Sequence, residues 1–152
     1  MSDVVKGMVA GGVATVVFSA VMLLIGATGF EPQLQLTHIL MSVLGAPTDY
    51  ALGWILHFVV GSVVLGGLFA YIEPRLGADT PTKGGTLYGV ITWLVVMLFF
   101  MPAIGAGYFG FQLSLFAPVV VLIQQLVYGV VLGWTYGRLS PTHNSFTKHH
   151  PA

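Results

Sequence analysis

Apolar residues fill long stretches of this chain that contain no Lys, Arg, Asp or Glu, and polar or Gly-rich segments separate them. Lys6 and Glu31 bracket the first stretch, Asp49 and Glu73 the second. Lys83 and Arg138 bracket an uncharged run long enough for two more. A bilayer core about 30 Å thick takes about 20 apolar residues of helix. The pattern therefore predicts four membrane-spanning helices, at about residues 5–28, 50–72, 85–104 and 115–136. Gly105, Gly107 and Gly110, with Gln112 and Ser114, mark the turn between the last two. Pro102 stands near the end of span three, where a freed carbonyl can reach interfacial water. Between spans one and two, Leu34, His38 and Met41 recur at helical spacing until Gly45 and Pro47. This predicts a short helix at the outer surface, in the interface or folded against the bundle. The expected fold is all-α: a four-transmembrane-helix bundle over residues 1–139. Residues 140–152 read as a disordered, cytoplasmic, Pro-containing tail.

Composition agrees. Charged residues make up 7% of the chain and mean hydropathy is +0.90. Soluble domains carry roughly 25% charged residues. The net charge is zero, so nothing favours nucleic acid. With no cysteine, disulfides, thiolate metal sites and cysteine nucleophiles are excluded. The first apolar run exceeds the core of a signal peptide and reads as a first span.

The basic residues orient the spans. Lys6 precedes span one, Arg75 and Lys83 lie between spans two and three, and Arg138 and Lys148 follow span four. The two opposite loops contain no Lys or Arg. By the positive-inside rule both termini and the middle loop are cytoplasmic, in a plasma (inner) membrane. Trp54, Tyr50, Tyr108 and Phe109 on one side, and Tyr71, Trp134 and Tyr136 on the other, fit aromatic belts.

The halves of the chain resemble one another. Lys6-Gly7, Gly12 and Thr15 recur as Lys83-Gly84, Gly89 and Thr92, a shift of 77. Val63-Val64-Leu65-Gly66 recurs as Val130-Val131-Leu132-Gly133, a shift of 67. Two consistent offsets suggest parallel repeats about an axis along the membrane normal. The shift of 67 also aligns Ser62, Gly66 and Ala70 with Gly129, Gly133 and Gly137. Span one has a stripe of its own in Gly7, Gly11, Thr15 and Ser19. Small residues every fourth position let helix backbones approach closely. Packing within one bundle is the expected use. An outward-facing stripe would instead make a homo-oligomer.

One ionisable side chain, His57, lies well inside the predicted bilayer, and such residues are functional candidates by default. The shift of 67 places Gln124 opposite it, beside Gln125. The plainer alternative is a neutral His57 that hydrogen-bonds Gln124, Gln125, Thr15 or Ser19 and fixes helix rotation. If the outer helix folds over the bundle mouth, His38 and His57 become a candidate pair for haem iron or a copper ion. No cofactor is expected from any complete motif, and haem is the candidate if one binds. His143, His149 and His150 in the tail read as solvated. Motifs for serine hydrolases, zinc proteases, P-loops and dinucleotide folds are absent.

The opening Lys6-Gly7-Met8-Val9-Ala10-Gly11-Gly12, the Gly-rich second span ending Tyr71-Ile72-Glu73-Pro74, and the Gly-rich return turn carry a family resemblance. The chain resembles the small four-span inner-membrane proteins of bacteria and archaea grouped as domains of unknown function. That resemblance covers most of residues 4–139 and implies no activity or catalytic residue. Three function classes remain. A non-catalytic bundle, free-standing or an accessory subunit of a larger membrane complex, is favoured by the lack of extramembrane mass. A haem- or quinone-binding redox element would use His57. A small oligomeric transporter or channel would line a path with Thr15, Ser19, His57, Gln124 and Gln125.

Overall fold

A computed structural model describes residues 1–29 and 50–140. The expected outer helix, with His38, and the C-terminal tail lie outside the described residues. Four helices are long and apolar enough to cross a membrane: α1 (Asp3–Ala27), α2 (Ala51–Arg75), α3 (Pro81–Ala103) and α4 (Ala117–Leu139). There is no β-strand among the described residues. The protein is an all-α bundle and a multi-pass membrane protein. Its surface is rich in exposed apolar side chains such as Val16, Leu24, Ile55, Phe99 and Leu115. Water would penalise such a surface, whereas lipid covers it at no cost.

Helix starts follow ordinary capping chemistry. The Ser2 hydroxyl accepts from the Val5 N–H at the start of α1. The Thr80 hydroxyl accepts from the Lys83 N–H, and Pro81 takes the first helical position, where its missing N–H costs nothing. That cap starts α3 four residues before the expected position 85. Lys6, Arg75, Lys83 and Arg138 all sit at the end of the bundle where α1 and α3 begin and α2 and α4 finish; we call it the basic end. There Arg75 lies over the Tyr71 ring at 4.2 Å and Arg138 over the Trp134 ring at 5.0 Å. Both aromatic rings are exposed, as a belt requires. Tyr136 is a correction to that belt: it is buried, with its ring edge-on to Phe69 at 5.4 Å.

Two pairs of helices approach backbone to backbone. A Cβ on Gly7 would lie 2.7 Å from the Ala70 Cβ, and one on Gly11 would lie 2.8 Å from the Gly66 Cα. In the other pair, a Cβ on Gly85 would lie 2.8 Å from the Gly133 Cα, and one on Gly89 would lie 2.5 Å from the Gln125 carbonyl oxygen. Small residues thus join α1 to α2 and α3 to α4. On α2 and α4 these places match at the expected spacing of 67. On the other two helices the match is three residues off: Gly11 corresponds to Gly85, not to a position 77 further on. Gly84 instead faces the connecting segment, nearest Glu73, Leu76 and Ala78. The predicted packing residues do meet neighbours. Ser62 lies against Gly11 and Gly12, Gly129 against Gly85 and Gly89, and Gly137 against the Pro81 ring.

The two pairs are joined unevenly. α1 also packs along α4, but α2 and α3 have little close backbone approach. They meet through side chains instead, with the Phe69 and Tyr88 rings 5.3 Å apart. Between α3 and α4 the chain turns through Gly105, Gly107 and Gly110, all with positive φ. Phe109 shares that conformation at φ 58°, and its ring packs on Trp93 at 5.9 Å.

Both helices bordering the loose seam contain a π-helical stretch, Val59–Gly66 in α2 and Val96–Phe100 in α3. In α3 the cause is local. Pro102 lacks an N–H, and its ring crowds the carbonyl four residues back, within that stretch. In α2 the carbonyls of the distorted stretch are satisfied by two tyrosines of other helices and, at its start, by a serine of its own. The Tyr128 hydroxyl donates to the Gly61 carbonyl, the Tyr88 hydroxyl donates to the Leu65 carbonyl at 3.0 Å, and Ser62 donates back to the Phe58 carbonyl. The wider turn also changes which residues share a face. Gly61 and Gly66, five apart, both meet α1, so Gly61 joins a stripe that fourfold spacing assigns to Ser62.

Candidate functional site

The π-helical stretches of α2 and α3 border a cavity of about 200 Å³. Thr15 and Phe18 of α1 line it, with His57, Val60, Gly61 and Leu65 of α2. Val96, Phe100 and Met101 form the α3 wall. Val121, Gln124, Gln125 and Tyr128 complete it from α4. The tertiary structure therefore brings His57, Gln124, Gln125 and Thr15 to one space. Ser19 stands behind it, hydrogen-bonded to His57 at 3.0 Å. All five are buried.

The polar side chains on α1 form a short relay. Thr15 donates to the Gly11 carbonyl at 2.7 Å, and Ser19 donates to the Thr15 carbonyl at 2.7 Å. A serine hydroxyl has one hydrogen. With that hydrogen on the Thr15 carbonyl, His57 Nε2 is the donor to Ser19 Oγ, and a neutral ring carries its bare nitrogen at Nδ1. Of the expected partners for His57, the structure selects Ser19; Gln124 and Gln125 make no hydrogen bond to it. Aromatic rings surround the imidazole: Phe18 at 5.5 Å, Trp54 at 5.8 Å edge-on and Phe58 at 5.7 Å.

The two glutamines differ. Gln125 Oε1 accepts from Thr92 at 3.3 Å, while the Thr92 hydroxyl also lies 3.0 Å from the Tyr88 and Gly89 carbonyls. Gln124 is only 5% exposed, yet its amide has no hydrogen-bond partner among the described residues. Gln124 lines the cavity, so its unengaged amide is open to whatever occupies that space.

Towards the basic end the cavity meets a solid floor. Phe69, Tyr88 and Leu132 are at most 1% exposed, and Tyr128 and Tyr136 pack with them in one core. Tyr88 and Tyr128 carry out two tasks, filling this floor and holding α2 carbonyls. Neither was identified from the sequence, where an isolated Tyr in an apolar span has no signal beyond its lone hydroxyl. Glu73 was also missed as an interior residue: it is buried at the basic end, where the chain turns from α2 towards α3.

No group of three His, Asp or Glu residues that could hold a metal occurs among the described residues. The candidate partner His38 lies outside them.

The match to a family model decides the affiliation. The chain belongs to DUF6789, a family of unknown function, whose model matches residues 1–146. No curated protein and no solved structure matches it. The DUF6789 model thus covers all four helices and every residue that lines the cavity, and it assigns none of them a role.

Proposed function

We propose that this DUF6789 protein is a non-catalytic membrane bundle that holds a small lipid-soluble molecule between its helices, alone or as an accessory subunit of a larger membrane complex. The observation that carries this reading is a blind cavity: polar groups gather at one level, and a packed aromatic floor lies beneath them. A transport path would have to cross Phe69, Tyr88 and Leu132, so that geometry favours binding over passage. A haem axial bond needs a bare imidazole nitrogen, and His57 Nε2, a usual metal-binding atom, is engaged with Ser19. The haem reading is therefore second to simple binding.

The proposed orientation puts the basic end in the cytoplasm of a plasma (inner) membrane, with both termini on that side. It rests on the four basic residues gathered at one end of the bundle. We also read the halves as parallel repeats, supported by the matched approaches of Gly11 to Gly66 and Gly85 to Gly133.

The test is extraction of the purified protein with organic solvent, followed by mass spectrometry, for wild type and Val121→Phe. The larger ring fills space that Val121 borders. A small molecule that is present in the wild-type extract and depleted in the variant supports the reading. Identical extracts, or a Soret band or ion flux lost on His57→Leu, overturn it.

A further inference from the structure

The form of the cavity says what kind of molecule it takes; the inference rests on the binding reading above. We infer that the site selects a flat, lipid-soluble ring carrying a carbonyl oxygen, such as a quinone head group, and that the ring enters from the bilayer between α2 and α3.

Three observations combine. The first is the unpartnered Gln124 amide, 95% buried at the cavity wall. The Gln125 side-chain oxygen lies 3.3 Å from the Thr92 hydroxyl, and its NH₂ makes no hydrogen bond among the described residues. Two adjacent amides, each with an unengaged NH₂, therefore line the same space. What satisfies a pair of buried N–H donors is an acceptor without a charge, because a carboxylate or phosphate would bring an unpaired anion into the membrane interior. A carbonyl oxygen has two lone pairs and no hydrogen, which suits two donors.

The second observation is the rest of the wall. Phe18, Phe100 and Tyr128 place aromatic rings around the space, and the Phe18 and Tyr128 rings stand edge to face at 6.3 Å. Such a lining favours a planar ring, which stacks or meets edges, over a branched chain. A volume of about 200 Å³ suits one or two fused rings. Water is the competing occupant, but its several hydrogen bonds per molecule would have to be met by a wall that is mostly apolar.

The third is the route. Helices α2 and α3 have little close backbone approach, and Val60, a wall residue, is 38% exposed on the bundle surface. The wall thus reaches lipid at a seam where the helix backbones do not approach closely. A carbonyl-bearing ring dissolved in the bilayer meets the opening without crossing water.

The experiment compares 1,4-naphthoquinone with naphthalene, the same two-ring frame with and without carbonyls. Both are titrated into the full-length protein in micelles, with protein-free micelles as the partition control. The readout is the side-chain ¹⁵N–¹H signals of Gln124 and Gln125 and the methyl signals of Val121. The quinone should bind about tenfold more tightly than naphthalene and shift both amide signals to saturation. One or two net hydrogen bonds give a preference of that order. Gln124→Met, which keeps length and removes the donor, should reduce the preference while naphthalene still shifts Val121. Equal affinities in wild type, or an undiminished preference in Gln124→Met, overturn the carbonyl assignment and leave the binding reading standing. No saturable shift with either compound at any of these signals overturns both.

Discussion

The Tyr128 hydroxyl on α4 donates to the Gly61 carbonyl on α2, joining the two halves of the chain at the π-helical stretch. A π turn interrupts the regular α-helical ladder, and within a membrane no water is at hand to satisfy a freed carbonyl. The tyrosine supplies the missing partner. Tyr128→Phe keeps the ring and removes the donor. It should cost about 1 kcal/mol, the scale of interhelical hydrogen bonds in membranes. Unfolding in mixed micelles titrated with SDS measures this; an unchanged midpoint would show the bond to be incidental.

The glycine contacts predict opposite outcomes for one chemical change. Gly66→Ala pushes a Cβ against the Gly7 carbonyl and within 2.9 Å of the Gly11 Cα, both backbone atoms. It should destabilise by about 1–3 kcal/mol, as overpacking does. Gly12→Ala meets only the Ser62 Cβ, at 3.8 Å. There the better helix propensity of alanine should leave stability equal or raised by up to about 1 kcal/mol. The same micelle titration applies, and equal losses at both sites would contradict the packing described.

For His57 the expected effects are structural. His57→Gln retains a donor for Ser19 and should fold with near wild-type stability. His57→Leu should lose about 1 kcal/mol. A double-mutant cycle with Ser19→Ala should return a coupling of similar size. Additive single mutants, with no coupling, would mean that the 3.0 Å contact contributes nothing.

Topology is tested by reporters that work on only one side of the membrane. A fusion at Ala78 should report the cytoplasm, and one at Gly110 the exterior. A cytoplasmic signal from Gly110 reverses the proposed orientation without altering the bundle.

At the exposed start of α3, the Lys83 ammonium bonds Asp79 at 2.8 Å. This hydrogen bond, then the charge of Lys83, holds the Asp79 carboxyl below its ordinary value. The folded value is the depressed one. The pair's contribution is therefore present above the unfolded value and lost as pH falls through the folded value. NMR titration should find the Asp79 midpoint raised in Lys83→Gln; a midpoint unmoved by that change would remove the ion pair as the cause.

Much of this protein could be read along the chain. Four helices follow from uncharged apolar length alone, because the bilayer sets one scale for every span. Gly7, Gly11, Gly66 and Gly133 were legible as close-approach residues, since a fourfold spacing of small residues has one geometric use in lipid. His57, Thr15, Ser19, Gln124 and Gln125 stood out because polar atoms in a membrane interior require a reason.

Tertiary structure decided the rest, for reasons that no local pattern contains. The partner of His57 depends on how α1 and α2 are rotated against each other, and that rotation selected Ser19 over the glutamines. The place of Gly61 depends on a π turn whose carbonyl is satisfied by Tyr128, far along the chain. Gly85 takes the place equivalent to Gly11, which the spacing of 77 gives to Tyr88, because helix rotation, not sequence alignment, determines which residue faces α4. The cavity exists because small residues draw α1 to α2 and α3 to α4, while α2 and α3 have no equally close approach. Spacing along one helix establishes which residues share a face; only the assembled bundle determines what that face meets and where nothing meets it.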